Sequence, residues 1–355
     1  MFVKTTPSAT APESGPTATP ATLTPPGSWR IPDTHYLTVM GSPWYAALVT
    51  LQDAFTSATV QFWTERGIRF GHLPVTTGSV SSPMGLGSDS LPVEVDLFGA
   101  PTYLADSMQF SLEYLCRLAD RGAYYLMPSF RGEAPDATHL CQFFHSEAEI
   151  PGGLHDVMTV VEAYLRHVVG ELAGRHEGLI RAAAGSMDHI TALLDGPRAF
   201  RCLTFDEASA ALDHDPRYID REDGWRNLTR AGERQLMKIY GDFLWVTHWD
   251  TLAVPFYQRQ DAQGRALNGD LLFGPGEVVG AGERHVNGNE VLGALRQHAV
   301  PTEGYEWYVQ MKTENPLRTA GFGMGVERFL MWLLGQRDIR DLELLPRVNG
   351  RTILP

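Results

Sequence analysis

The chain is predicted to be an α+β protein, an antiparallel sheet flanked by helices. Two observations predict it. The strand-like runs come in pairs joined by short polar or glycine turns, as hairpins do. The helical runs fall between these pairs without the strand–helix–strand rhythm that a doubly wound parallel sheet requires. Composition adds a third: 43% hydrophobic and 20% charged residues over 355 positions can bury a sizeable globular core.

Residues 1–28, MFVKTTPSATAPESGPTATPATLTPPGS, are nearly all Thr, Pro, Ala, Ser and Gly. Their apolar surface cannot offset the conformational entropy lost on ordering. A disordered tail is expected over 1–28 and one catalytic domain over 29–355. Residues 42–67 carry apolar side chains at helical spacing and end on Gly67, which predicts a helix. IRFGHLPV and PVEVDLFG predict strands around a Gly/Ser loop at 81–90, and a helix is expected over 106–122. GAYYLMPSFRGE and LCQFFHSEAEI, joined by APDATH, predict a hairpin with a polar loop. Helices follow near 153–174, 178–195 and 227–240, then a strand in DFLWVTHWD. The last third holds the β-type run DLLFGPGEVVGAGERH, two short helices and RTAGFGMGVERFLMWLLG, a strand, glycine turn and helix.

The bulk numbers also bound the function. Net charge of -13 provides none of the phosphate neutralisation that drives nonspecific nucleic-acid binding. No apolar run approaches the ~18 residues of a membrane span, and the N-terminus lacks an apolar signal core, so a cytoplasmic protein with no membrane partner is expected. Cys116, Cys141 and Cys202 are odd in number and widely spaced, and are expected to be buried thiols without disulfides.

Three elements carry chemistry. GFGMGVER (321–328) sets glycines at a strand–helix junction, where free N–H groups and Arg328 in the first turn suit a polyphosphate. In SFRGE…HLCQFFHSEAEI (129–150), Phe143, His145, Glu147 and Glu149 alternate and therefore share one face of a strand. Arg131 can pair with phosphate there, Phe143 can stack on a purine, and an ammonium can sit on the acids. In GDLLFGPGEVVGAGERH (269–285), Asp270 and Glu277 can hold Mg2+ alongside phosphate, and Arg284 can clamp a carboxylate or amide oxygen.

Together and in this order, these elements resemble the signature motifs of class II aminoacyl-tRNA synthetases of the aspartyl/asparaginyl branch. Within that branch they resemble asparagine-synthetase-related proteins, which lack the anticodon-binding domain. SFRGE with HLCQFFHSEAE resembles the second motif, GFGMGVER with IRDLELLPR the third, and residues 42–67, more distantly, the dimer-interface motif. The resemblance covers about residues 40–355. It implies ATP and Mg2+, with Arg131 on the α-phosphate, Glu133 and Phe143 on adenine, and Arg328 on the γ-phosphate. It puts Mg2+ on Asp270 and Glu277. The substrate ammonium falls to Glu147 with His145 and Glu149, and the amino-acid pocket is lined by Gln109 and Arg284. A homodimer is implied as well.

The chain also departs from the family pattern. Thr138 and Gln142 replace a motif arginine and glutamate, the hairpin loop is a residue short, and His285 replaces an acid. Leu112 stands where aspartyl enzymes carry a lysine, and a Thr/Pro-rich tail is expected in the place of the family's anticodon-reading barrel. The reading that follows is an AMP-forming ligase that adenylates aspartate or a close analogue and hands it to ammonia or a small amine, with tRNA not an expected partner. The alternatives are a truncated asparaginyl-type paralogue serving tRNA, a protein or a carrier, and a silent binding paralogue.

Overall fold

The computed structural model describes residues 22–81 and 90–353, so most of the expected tail and nearly all of the expected 81–90 loop lie outside the described residues. Among residues 22–28, the Leu23 N–H donates to Ala182 O (2.9 Å) and the side chain packs on the core. Folded structure therefore begins ahead of the expected start at Trp29.

Helices α1 (Pro32–Gly41) and α2 (Pro43–Glu65) both open on proline, whose missing N–H costs nothing in a first turn. Short strands β1 (Arg69–Phe70), β2 (Thr76–Thr77), β3 (Val93–Leu97) and β4 (Ala100–Leu104) follow, then α3 (Gln109–Leu115). The expected hairpin is β5 (Ala123–Phe130) and β6 (Gln142–Pro151). Where two helices were expected, α4 (Leu154–Ala184) runs on through a kink at His176, and α5 (Asp188–Leu194) follows. Next come β7 (Arg201–Thr204), α6 (Phe205–Ala211), the hairpin β8 (Ile219–Glu222) and β9 (Trp225–Leu228), and α7 (Arg230–Tyr240). Strands β10 (Leu244–Thr247), β11 (Asn268–Phe273) and β12 (Gly276–Glu283) precede α8 (Gly288–Gln297) and α9 (Glu306–Glu314). Strand β13 (Thr319–Gly325) then runs directly into α10 (Val326–Leu333).

Eight strands form one sheet in the order β1-β5-β6-β13-β12-β11-β10-β7. The six central strands pair antiparallel, and the outermost pairs, β1 with β5 and β10 with β7, are parallel. Strand alternation then divides the two faces. Ala148, Ile150, Ala320, Phe322 and Met324 enter the main core with residues of α2, α4 and α10, while His145, Glu147 and Glu149 point the other way. The Tyr164 hydroxyl on α4 bridges Thr59 Oγ1 and Ser146 Oγ, 2.8 Å from each, and ties the helix layer to β6.

All three cysteines are free, and only Cys116 is buried. Cys141 is half-buried and Cys202 exposed, because β7 is an edge strand open to solvent. No described helix is long and apolar enough to cross a membrane.

Candidate active site

The polar face of β6 is built against glycines. Gly321 pairs in register with Glu149 and Gly323 with Glu147. A Cβ at Gly323 would stand 2.9 Å from Glu147 Oε1, and one at Gly321 would overlap the Glu149 carboxylate. These two glycines therefore make room for acids on the neighbouring strand.

A cavity of about 240 Å³ opens beside them, lined among others by Arg131, Glu133, Phe143, Glu277 and Arg328. The Arg131 guanidinium lies 5.4 Å from the centre of the Phe143 ring. Arg131 Nε and Glu133 Oε2 are buried without a hydrogen-bond partner. Arg328, in the first turn of α10, donates to Glu277 O (2.8 Å) and to Thr138 O (3.4 Å). A plane for a flat ring, two cations and an unsatisfied acid suit a purine nucleotide.

A second cavity, about 320 Å³, is lined by Gln109, His145, Glu147, Asp270, Glu277 and Arg284 among others. The two cavities share Arg131, His145, Glu277, Gly280 and Gly323. Glu147 accepts from Ser107 Oγ (2.7 Å) and has His145 Nδ1 at 3.1 Å. Burial pushes the Glu147 carboxyl up to about 7. Burial and the charges of Arg131 and Arg328 pull His145 down to about 3, so its imidazole is neutral near pH 7. Gln109 Nε2 is buried without a partner.

Three expectations change on this side. Glu149 does not line the cavity. It lies fully buried behind Arg284, accepting from Nε (3.2 Å) and Nη2 (3.1 Å), while Arg284 Nη1 donates to Gln258 Oε1 (3.0 Å). Glu149 is thus the counter-ion that fixes Arg284, since a buried guanidinium needs one. Leu112 is fully buried in an apolar cluster with Ala105, Met108, Ala123 and Tyr125. His285 is buried as well, its Nε2 3.0 Å from Phe256 O.

The metal expectation rests on β11 and β12. A Cβ at Gly280 would meet both Glu277 Oε1 (3.3 Å) and Asp270 Oδ1 (3.8 Å), so the two carboxylates converge on that glycine. Glu233 on α7 joins them, its Oε2 accepting from Glu277 N (3.2 Å). Burial, then the Glu277 and Glu233 charges, push Asp270 upward, and burial with the Glu277 charge pushes Glu233 up to about 7. Mutually repelling, half-buried acids fit a cation. No set of three or more acidic, His or Cys ligands among the described residues closes a protein-only cage. The converging Asp270 and Glu277 carboxylates suit Mg2+, which takes one or two carboxylates and completes its shell with phosphate and water.

The sequence showed no motif at Gln258, Arg230 or Glu233, and gave Ser107 no role of its own. They reach the site from α7 and from loops, and only packing brings them there.

The model of the family described as tRNA synthetases class II (D, K and N) matches residues 33–349. The asparagine–tRNA ligase of Thermoplasma acidophilum is 27% identical over 79% of this chain and 65% of its own length. That of Solibacter usitatus is 28% identical over 86% of this chain and 71% of its own. The chain thus spans about two thirds of the length of these relatives. In structure, the chain is similar to the asparaginyl-tRNA synthetase from Pyrococcus horikoshii complexed with asparaginyl-adenylate. That match has a TM-score of 0.81 at 23% identity and covers 91% of this chain and 73% of that one. The asparaginyl-tRNA synthetase of Entamoeba histolytica gives a TM-score of 0.78 at 23% identity, covering 92% and 72%. Such identities establish the fold. The expectations of a small-amine acceptor and of no tRNA partner are corrected here, because these relatives are tRNA ligases.

Proposed function

We propose that this chain, which belongs to the class II tRNA synthetases (D, K and N), activates asparagine or a close analogue with ATP and passes the aminoacyl group to a tRNA. The carrying observation is the junction of the two cavities at Arg131, with unpartnered buried atoms of Arg131 and Glu133 on the nucleotide side and of Gln109 on the other. The adenine stacks on Phe143 beside Glu133, and the phosphates run between Arg131 and Arg328. The ammonium sits on Glu147, so the α-carboxylate faces Arg131. Its oxygen attacks the α-phosphorus, the bond to the bridging oxygen breaks, and pyrophosphate leaves. A terminal tRNA hydroxyl then attacks the acyl carbon and AMP departs. Arg131 and Arg328 stabilise charge in place, with no protein nucleophile. Mg2+ between Asp270, Glu277 and the phosphates would neutralise charge on the leaving group.

Arg284 reads the side-chain end of the substrate. Glu149 already balances its charge, so the clamp offers N–H donors without a net cation, which suits a neutral carboxamide better than a second carboxylate. Asparagine should therefore support more ATP–pyrophosphate exchange than aspartate, and acid-gel analysis should show acylated tRNA. Absence of exchange with every amino acid would end the reading. Efficient exchange with aspartate alone would overturn the asparagine assignment.

The ammonium contact also predicts a pH dependence. Only the Glu147 anion binds an ammonium well, and its folded pKa is raised to about 7 by burial. The KM for the amino acid should climb as pH falls through about 7, with kcat less affected. In Glu147→Gln the KM should be high and flat over that range. A wild-type KM that is flat from pH 6 to 8 would remove Glu147 from this role.

A further inference from the structure

Thr138 lies between two arginines of different origin. Its carbonyl accepts from Arg328 Nε (3.4 Å), and its hydroxyl accepts from Arg230 Nη1 (2.8 Å). Arg230 opens α7, and its Nη2 also reaches the His139 ring (2.8 Å). Thr138 and His139 both line the nucleotide cavity. Three residues on, Glu233 faces the same end and holds Glu277 N. The first turn of α7 thus brings a cation and an acid to the Arg328 and Glu277 end of the cavity. The positions Thr138 and Arg230 are 92 residues apart in the chain.

We propose that Arg230 is the third arginine of the polyphosphate site, supplying from α7 the cation that the hairpin lacks at Thr138, and that it binds the β- and γ-phosphates of ATP and the pyrophosphate product. This rests on the adenylation reading. Three features support it. The Arg230 side chain is 51% exposed, so its guanidinium can turn to a ligand without an internal cavity forming. Its present carboxylate partner, Asp136, is 3.5 Å away, too distant for a strong ion pair, and a phosphate offers better acceptors. The charges of Arg131, Arg230, Glu277 and Glu233 all bear on Arg328, which places them in one electrostatic cluster.

Calorimetric binding of ATP, pyrophosphate and AMP to Arg230→Ala tests the assignment without depending on turnover. Loss of a charge-assisted contact should weaken ATP and pyrophosphate by roughly tenfold, with AMP affinity within about twofold of wild type. Arg230→Lys should recover part of the loss, and Thr138→Arg placed in the Arg230→Ala background should recover more. Equal weakening of ATP and AMP would mean that Arg230 only braces the hairpin loop through Thr138 and His139, and unchanged affinity for all three would mean that it does nothing at the site. Either result overturns the proposal. Failure of the adenylation reading shows separately, as wild-type protein that binds ATP yet exchanges pyrophosphate with no amino acid.

Discussion

Arg131→Ala and Arg328→Ala are each expected to lower amino-acid-dependent ATP–pyrophosphate exchange by on the order of 10²–10³, as loss of a preorganised charge-stabilising donor does elsewhere. The two should fail differently. Arg131 leaves its main-chain bond to Cys141 O intact (2.9 Å), and its Nε has no protein partner to lose, so its removal should spare the melting temperature. Arg328 also ties Glu277 O and Thr138 O together, so Arg328→Ala should loosen that end and cost some stability besides activity. Exchange rates and melting curves on both variants separate these effects. Near wild-type exchange in both would remove the phosphate roles of these arginines.

The largest stability effect is expected behind the amino-acid pocket. Lys312 Nζ donates to the Glu113 carboxylate and to His285 O (2.6 Å), and the Tyr308 hydroxyl donates to Glu113 Oε1 (2.6 Å). Both charged side chains are completely buried. Lys312→Met leaves the buried Glu113 charge with only the Tyr308 hydroxyl beside it and should cost about 3–5 kcal/mol, lowering Tm by roughly 5 °C in a domain of this size. Adding Glu113→Gln should recover much of that loss, because the double variant leaves no uncompensated charge. Chemical denaturation of both variants provides the check. A single variant within about 1 kcal/mol of wild type would show that water or a proton reaches Glu113 and relieves it.

Local patterns were readable in the sequence because they are short-range. Alternation placed His145, Glu147 and Glu149 on one face of β6, since side chains of a strand point to opposite sides in turn. The strand–helix junction at Gly325 and the hairpin from Ala123 to Pro151 follow from the same local rules. Arg131, Glu133, Phe143, Glu277 and Arg328, picked from motifs, line one cavity. What each alternating residue touches was not readable. Glu149 shares the face of Glu147 and yet ends behind Arg284, because β13 sits beside β6 and leaves room at Gly321 for that carboxylate.

The sequence by itself determined which residue types lie on which face, because the pleat and the helical period are set within a few residues. Only the tertiary structure decided which of them meet. Leu112 and His285 occupy suggestive motif positions but pack inward, since the elements carrying them turn those side chains to apolar neighbours or a buried carbonyl. Arg230 and Glu233 carry no motif, yet they stand beside Arg328 and Glu277 because α7 packs against β11 and β12. A side chain's charge is fixed by its covalent structure. Its partner is fixed by strand order and helix packing, which come from burying apolar surface across distant parts of the chain.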